Sequence, residues 1–422
     1  MILGGAQENT LLTCREQART GHEVVLLTGP SEGPEGCLLG PAEAAAEPFR
    51  TVLVPALRRA IHPWHDWVAY NDLLKNLREI RPEVVHTHAS KAGILGRRAA
   101  GAAGVRCIIH TIHGLSFDEY QGRLANAVYV ASERRAARWS HRMIAVCADM
   151  ADRAAAAGLA PRDTIDVVYS AIDVDRFRAA EGERERVRCA WGVGPQAFVF
   201  VKVARLSAMK GHEFVLPAFA AVAARHPQAV LVLAGDGLLR PALEAEAARR
   251  GIAGRVRFLG LVPSGEIPGV LWASDAVVHT SLREGLARVL VQGGFCRRPV
   301  VTFDVGGARE VIRHGENGFL LPRPAPGRRV VCGTPALGCA QPGAAVPQAD
   351  AQPGAAVPQA DAQPGAAVPQ IGMLAEAMNR LAADPAAARG MGERWPEDVL
   401  RRFDYRPATA EIVAVYRAVL GV

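Results

Sequence analysis

Short apolar, β-branched runs alternate with longer stretches of helical periodicity along most of the chain. Val24–Thr28, Val84–His88, Cys107–Thr111, Met143–Cys147 and Ile165–Tyr169 have the length and composition of buried strands. Between them Asn9–Arg19, Ala92–Ala103 and Leu124–Trp139 carry helical patterns. The rhythm starts again with strands at Phe198–Val203, Ala229–Leu233, Val256–Leu259, Ala276–Thr280 and Val300–Phe303. Such alternation predicts an α/β fold with parallel sheets covered on both faces. Two series of strands predict two doubly wound, Rossmann-like domains, residues 1–178 and 179–422. The dividing stretch Ala179–Arg188 is polar and charged, as a boundary should be.

Two stretches break the rhythm. The first is the start, where Gly4-Gly5 leads directly into a helix; a doubly wound domain places a strand before such a loop. The expectation is that this first strand is missing, through a displaced start or a truncated gene, and that the first domain is poorly ordered as a result. The second is a tandem repeat of period 11, Gln341–Ala351, with a second copy from Gln352 and a partial third from Gln363 to Gln370. Its Pro and Gly forbid helix, and the unit is too small to bury a face. Residues 323–370 therefore read as a disordered surface insertion within the second domain. The last helix of the chain is expected to pack back toward the first domain.

Composition narrows the function classes. Half of the 422 residues are hydrophobic, as in a soluble globular enzyme. No apolar run approaches the ~18 residues that span a bilayer. The first residues do not have the pattern of a secretory signal. Eight cysteines are scattered without any Cys-x-x-Cys pair or zinc spacing, which suits a reducing cytoplasm. Net charge is 49 − 42 = +7, spread along the chain rather than bunched. That distribution does not by itself argue for nucleic acid, and weak attraction to anionic membranes or phosphorylated substrates fits it equally well; no nucleic-acid partner is expected. Arginine dominates; the four lysines are Lys75, Lys91, Lys202 and Lys210.

The candidate chemistry sits at predicted strand ends. Arg205 and Lys210 lie five residues apart in a loop entering a helix, a pair of cations that can converge on one diphosphate. After the strand Ala276–Thr280, Glu284 at a glycine-bearing helix start can accept from sugar hydroxyls. Gln292 falls about two turns further on. Each feature alone is as well explained by a solvated basic loop or a charge at a helix N-terminus.

Taken in order, the motifs carry more. They are Gly4-Gly5-Ala6-Gln7-Glu8-Asn9-Thr10, His86-Thr-His88-Ala-Ser90-Lys91-Ala-Gly93, His110-Thr-Ile-His113-Gly114, Val203-Ala-Arg205 through Lys210-Gly211, Gly235-Asp-Gly237, Arg283-Glu284 through Gln292, and Val305-Gly-Gly-Ala-Arg-Glu310. In this set the chain resembles the bacterial family 4 glycosyltransferases of GT-B fold. The likeness covers everything except residues 323–370.

The resemblance implies a retaining transfer of sugar from a nucleotide-diphosphate sugar to a glycan or lipid-linked acceptor, in a cytoplasmic enzyme able to touch the inner membrane face. It implies no cofactor and no metal; Asp173-Val-Asp175, which matches a metal-binding string of another glycosyltransferase fold, is expected to be a linker. Arg205 and Lys210 would hold the diphosphate. Glu284 would contact the transferred sugar, with backbone N–H groups of Gly285 and Leu286 beside it. The loop entered at Leu261 would meet the nucleobase. Gly4, Gly5 and His113 would close over the donor from the first domain, and Ser90 and Lys91 would face the acceptor. The family's second glutamate, which accepts from both ribose hydroxyls, falls at Gln292, whose carboxamide has a single acceptor oxygen. Two other classes remain open at this level. One is a nucleotide-sugar epimerase of the same fold, whose Glu/His pattern is not matched here. The other is an inactive relic, for which the absent strand, Gln292 and the repeat speak.

Overall fold

Among the described residues the chain forms twelve strands, each parallel to its ladder partners, with helices in the crossovers. The structure, a computed structural model, describes residues 4–30, 38–325 and 369–422. In the first half the strands are β1 Val25–Thr28, β2 Arg50–Leu53, β3 Val84–His88, β4 Cys107–Ile112, β5 Arg142–Ala145 and β6 Ile165–Val167. In the second they are β7 Phe198–Val203, β8 Ala229–Ala234, β9 Val256–Gly260, β10 Ala276–His279, β11 Val300–Phe303 and β12 Gly318–Leu321. β2 and β12 are the strands the sequence pattern does not announce: each is four residues long, and Arg50 and Gly318 blur their apolar character.

The second sheet has the order β12-β11-β10-β7-β8-β9. It winds outward in both directions from β7, so the strand order reverses between β7 and β10, the place where α/β sheets bind ligands. Both faces are covered. Phe198 and Phe200 pack into one cluster, with Phe214, Phe219, Leu374 and Met378 from helices His212–Arg225 and Pro369–Ala383. Val199 and Val201, pointing the other way, join a second cluster with Leu271, Leu290 and Phe403.

The first sheet comes in two pieces, the pair β1-β2 and the run β3-β4-β5-β6, and no ladder joins them among the described residues. β7 fills the corresponding central place in the second sheet. Residues ahead of Gly4, where a strand is expected, lie outside the described residues. The two pieces are nonetheless packed together, because Leu27, Val54 and Leu57 share a cluster with Val85, Leu73 and Ala99. Helix Tyr405–Leu420 returns to this half. Its Ala408, Ile412 and Val415 pack on Leu12, Ile109 and Ile144, and its Tyr416 hydroxyl lies 2.6 Å from His86 Nδ1.

Two boundaries hold more order than their composition suggests. Ala179–Arg188 has exposed polar residues such as Glu181, Glu185 and Arg186, but also buried Ala180 and Arg188. Residues Arg184–Ala190 form a helix that aims Arg184 and Arg188, four apart on one face, at Asp275. Arg188 is buried. Its Nη2 donates to Asp275 Oδ2 at 2.6 Å, Arg184 Nη2 donates to Oδ1 at 2.5 Å, and the amide of Val199 at the start of β7 donates to Oδ2 at 2.7 Å. At the second boundary, Arg323 pairs with Glu119 across the cleft, and Pro369-Gln370 opens a helix. Pro suits a first turn because its missing N–H has no helical partner. The repeat from Gln341 to residue 368 lies outside the described residues. Asp173 and Asp175 flank the start of a short helix, where Asp175 pairs with Arg406 of the returning C-terminal segment.

Asp275 joins two arginines to the central strand, so Asp275→Ala leaves Arg188 buried without its anion. The expected loss is about 3–5 kcal/mol of unfolding free energy, measured by urea titration. A loss under about 1 kcal/mol, typical of an exposed pair, would contradict this account.

Candidate functional site

The reversal between β7 and β10 brings two loops side by side. The loop after β7 carries Arg205 and Lys210 and ends at Gly211, which sits at φ 69°. A Cβ on Gly211 would lie 1.8 Å from the Thr280 carbonyl oxygen, so only glycine lets the two loops come this close. Three hydrogen bonds stitch them: the Leu282 amide to Met209 O at 2.8 Å, Ser281 Oγ to Met209 O at 3.1 Å, and Thr280 Oγ1 to Gly211 O at 2.7 Å. The stitching delivers Lys210 to Glu284: Nζ donates to Oε1 at 2.6 Å. His279 Nε2 lies 3.3 Å from the same oxygen. Burial pushes the Glu284 carboxyl up, but Lys210 and His279 outweigh it and hold the group well below the usual carboxylate range. Arg205 is exposed beside them. His212, at the start of helix His212–Arg225, donates from Nε2 to the Arg205 carbonyl at 2.9 Å; burial keeps it neutral, its pKa near 3.

Gly285 and Leu286 follow Glu284 in the loop, with a bend at Gly285. The helix begins at Arg288, two residues later than the sequence suggests, so Gln292 stands on its second turn and Glu284 lies in the loop before it. Gly285 touches the first domain. A Cβ there would meet the His113 carbonyl oxygen at 2.7 Å, which places His113 against the glutamate loop. Gly4 and Gly5 arrive opposite: Gly4 precedes helix Gly5–Arg19, and the Gly5 carbonyl accepts from Arg288 Nη1 at 3.0 Å. Arg288 also pairs with Glu8 at 2.7 Å and donates to Ala171 O at 2.9 Å. Leu261 is exposed just beyond β9, and the neighbouring Gly235–Gly237 turn packs against the loop after β7.

Ser90 lines a pocket of about 260 Å³ in the first domain with His110, His113, Ser116 and Glu133. Lys91 does not offer its charge there. Its ammonium donates to Ala60 O at 2.5 Å and pairs with Asp66. His113, half-buried, lies 3.0 Å from His88 Nδ1 through Nε2. Desolvation holds His86, His88, His110 and His113 below the ordinary imidazole range, so these four side chains are uncharged near neutral pH.

Sequence reasoning did not assign several residues that build the site. Arg288 and Glu310 lay inside quoted motifs without a role. Glu310 accepts from the Ala148 and Asp149 amides at 3.0 and 3.1 Å and from the Tyr169 hydroxyl at 2.9 Å, capping a first-domain helix from the second domain. Arg283 pairs with Asp118 across the cleft at 2.6 Å. Lys202, flagged only by the scarcity of lysine, is fully buried on β7 and donates to Thr280 Oγ1 at 2.9 Å.

Burial is the main cause lowering the Lys202 pKa from 10.5 to about 7, with Lys210 adding to it. Between those values the unfolded chain holds a proton the folded chain has lost, so stability rises with pH across that window; below it the buried charge costs its full amount. Lys202→Met is therefore expected to unfold at higher denaturant than wild type at neutral pH, an advantage that shrinks as pH climbs toward about 10. A pH-independent difference between the two would refute the assignment.

Known proteins share this arrangement. Residues 4–171 match the family model for the glycosyl transferase 4-like domain and residues 183–328 that for glycosyl transferases group 1. The UDP-Gal:alpha-D-GlcNAc-diphosphoundecaprenol alpha-1,3-galactosyltransferase of Escherichia coli is 30% identical over 279 residues, 64% of this chain and 70% of that protein. The D-inositol 3-phosphate glycosyltransferase of Rhodococcus opacus is 32% identical over 250 residues, 56% of this chain and 55% of that one. Among solved structures, Anabaena HepE in complex with UDP superimposes with a TM-score of 0.70 at 21% identity, covering 98% of this chain and 96% of that one. Sucrose-phosphate synthase from Thermosynechococcus elongatus gives 0.74 at 18% identity, covering 99% and 94%. The chain belongs to the family 4 glycosyltransferases, with the two facing Rossmann-like domains of the GT-B fold.

Proposed function

We propose that the protein transfers a hexose from a UDP-sugar to a lipid-linked, diphosphate-bearing glycan acceptor with retention of anomeric configuration, without a metal ion. The observation that carries this reading is the Lys210–Glu284 pair at the strand reversal, one charge suited to phosphate and one to sugar hydroxyls. Lys210 and Arg205 bind the diphosphate. As the bond from the anomeric carbon to the diphosphate oxygen breaks, they neutralise the charge that develops on the leaving group. The acceptor hydroxyl forms its bond to the anomeric carbon on the same face, and its proton passes to the departing phosphate oxygen. Glu284, held ionised, accepts from hydroxyls of the transferred sugar. The acceptor's sugar sits in the pocket of Ser90, His113 and Glu133. The galactosyltransferase relative, whose name specifies a diphosphoundecaprenol-linked acceptor, supports the acceptor class. HepE, solved with UDP, supports the nucleotide.

A thermal-shift panel of UDP-, GDP- and ADP-sugars tests the donor, since binding at about 100 times Kd adds about 2.7 kcal/mol of stability. UDP-sugars should shift the melting temperature and the others should not. Lys210→Ala and Arg205→Ala should each lower kcat/KM for the donor by about 10²–10³-fold with the fold intact; unchanged kinetics in both would sink the diphosphate assignment.

Gln292 marks a weakened ribose contact in the same reading. Gln292→Glu restores a charged acceptor, and the gain expected from one charge-assisted hydrogen bond is about 10- to 100-fold in UDP affinity. Equal or weaker UDP binding by titration calorimetry would mean that the pocket has adapted to the carboxamide.

A further inference from the structure

Aromatic side chains form a row from the last helix of the chain to the cleft. His86 and His88 stand two residues apart on β3, so both project from one face of the strand. Their rings are 4.3 Å apart. His86 is held at both nitrogens: Nδ1 lies 2.6 Å from the Tyr416 hydroxyl, and Nε2 lies 2.6 Å from Thr111 Oγ1. Gln17 Nε2 donates to the Tyr416 oxygen at 3.1 Å. The single phenolic proton then goes to His86 Nδ1, so His86 carries its own proton on Nε2 and donates it to Thr111. Helices Gly5–Arg19 and Tyr405–Leu420, which supply Gln17 and Tyr416, pack on each other.

His88 continues the row. Its Nδ1 lies 3.0 Å from His113 Nε2, with the two rings 5.2 Å apart. Desolvation leaves both imidazoles uncharged near neutral pH. A hydrogen bond between two neutral imidazoles needs a proton on one nitrogen and a lone pair on the other. That choice decides the tautomer of His113. If His88 donates, His113 carries its proton on Nδ1; if His88 accepts, Nδ1 is bare. His113 Nδ1 has no protein partner among the described residues, and His113 lines the pocket with Ser90 and Glu133. The backbone is fixed from the other side, where the His113 carbonyl meets Gly285. Ala89, between His88 and Ser90, sits at φ 61° and ψ 158°, a region that residues with a Cβ rarely adopt. Strain of this kind collects where the surrounding structure must hold side chains in fixed places.

We infer that His88 is a positioning residue: by holding His113 Nε2 it fixes the ring and the tautomer that His113 offers to a sugar hydroxyl in the pocket, and Tyr416, through His86, keeps His88 in place. The inference deepens the transferase reading and rests on it for the sugar, but the pairing of the rings is tested without turnover.

The test uses the full chain labelled with nitrogen-15 at histidine, in which imidazole shifts report which ring nitrogens are protonated. His113→Gln identifies the His113 signals by their loss. Wild type should show His113 in one tautomer. His88→Phe keeps a ring against His86 but offers no nitrogen. It should leave His113 as a mixture of two tautomers and lower kcat for transfer from a UDP-sugar by about 10- to 100-fold, with the UDP thermal shift as in wild type. His88→Asn, whose amide stands near the place of Nδ1, should restore most of that loss. Tyr416→Phe should let His86 sample both tautomers and lower kcat by about threefold. Should His88→Phe fail to fold, the smaller His88→Ala serves with the same expectations. An unchanged His113 spectrum in the His88 variant overturns the pairing, and an unchanged kcat overturns the positioning role. So does a loss of UDP affinity as large as the loss in kcat/KM, since the site would then simply have loosened. Spectra that behave as expected in a wild type that turns over no UDP-sugar would leave the pairing standing and remove the transferase reading.

Discussion

The cleft depends on one close approach, that of Gly211 to the end of β10. Because glycine has no Cβ, the loop after β7 can lie on the Thr280 carbonyl, and that contact fixes where Lys210 and Glu284 meet. The buried amine of Lys202 supports the contact from below through Thr280 Oγ1, which in turn donates to the Gly211 carbonyl. A charge buried on a central strand is unfavourable by itself. Here it is the innermost link of a chain that ends at the Lys210–Glu284 pair, and the chain explains why an amine occupies a strand otherwise made of Phe and Val.

The same local geometry joins the two domains. Gly285 reaches the His113 backbone, Arg288 reaches Gly5 and Glu8, Arg283 reaches Asp118, and Glu310 caps a helix of the opposite domain. Arg283 and Gly285 lie in the loop after β10, Arg288 opens the helix that follows it, and Glu310 lies in the short helix after β11. Any rotation of one domain against the other must therefore break or remake contacts made by the same segment that carries Glu284.

Much of this was legible in the sequence, for identifiable reasons. Strands such as β7 and β10 are buried on both faces and read as continuous apolar runs, and loops that end in glycine before a helix mark the positions of Lys210 and Glu284. What could not be read was pairing at a distance. Ala179–Arg188 reads as a polar, charged boundary because its charges are visible and their partner Asp275 is not. Lys91 reads as a residue facing the acceptor, and its pairing with Asp66 does not show in the sequence. β2 and β12 are as long as β10 and β11 but begin with Arg50 and Gly318, which interrupt the apolar run that marks the others. Arg288 and Glu310 sat within recognised motifs, but only the packed domains give them partners.

The electrostatic asymmetry of the cleft then follows from where those pairs fall. The second-domain wall presents Arg205 and Lys210 beside a carboxylate that stays ionised. The first-domain wall presents buried His110 and half-buried His86, His88 and His113; His88 is lowered to about 4 by desolvation alone, and His113 is lowered by desolvation and further by its neighbours His88 and Arg288. In the donor reading proposed above, a nucleotide diphosphate would meet Arg205 and Lys210 on the second-domain wall, with uncharged imidazoles opposite as hydrogen-bonding groups. Protonated imidazoles there would compete for the same phosphate, so on that reading the lowered pKa values of the first-domain histidines leave the second-domain cations to set its position.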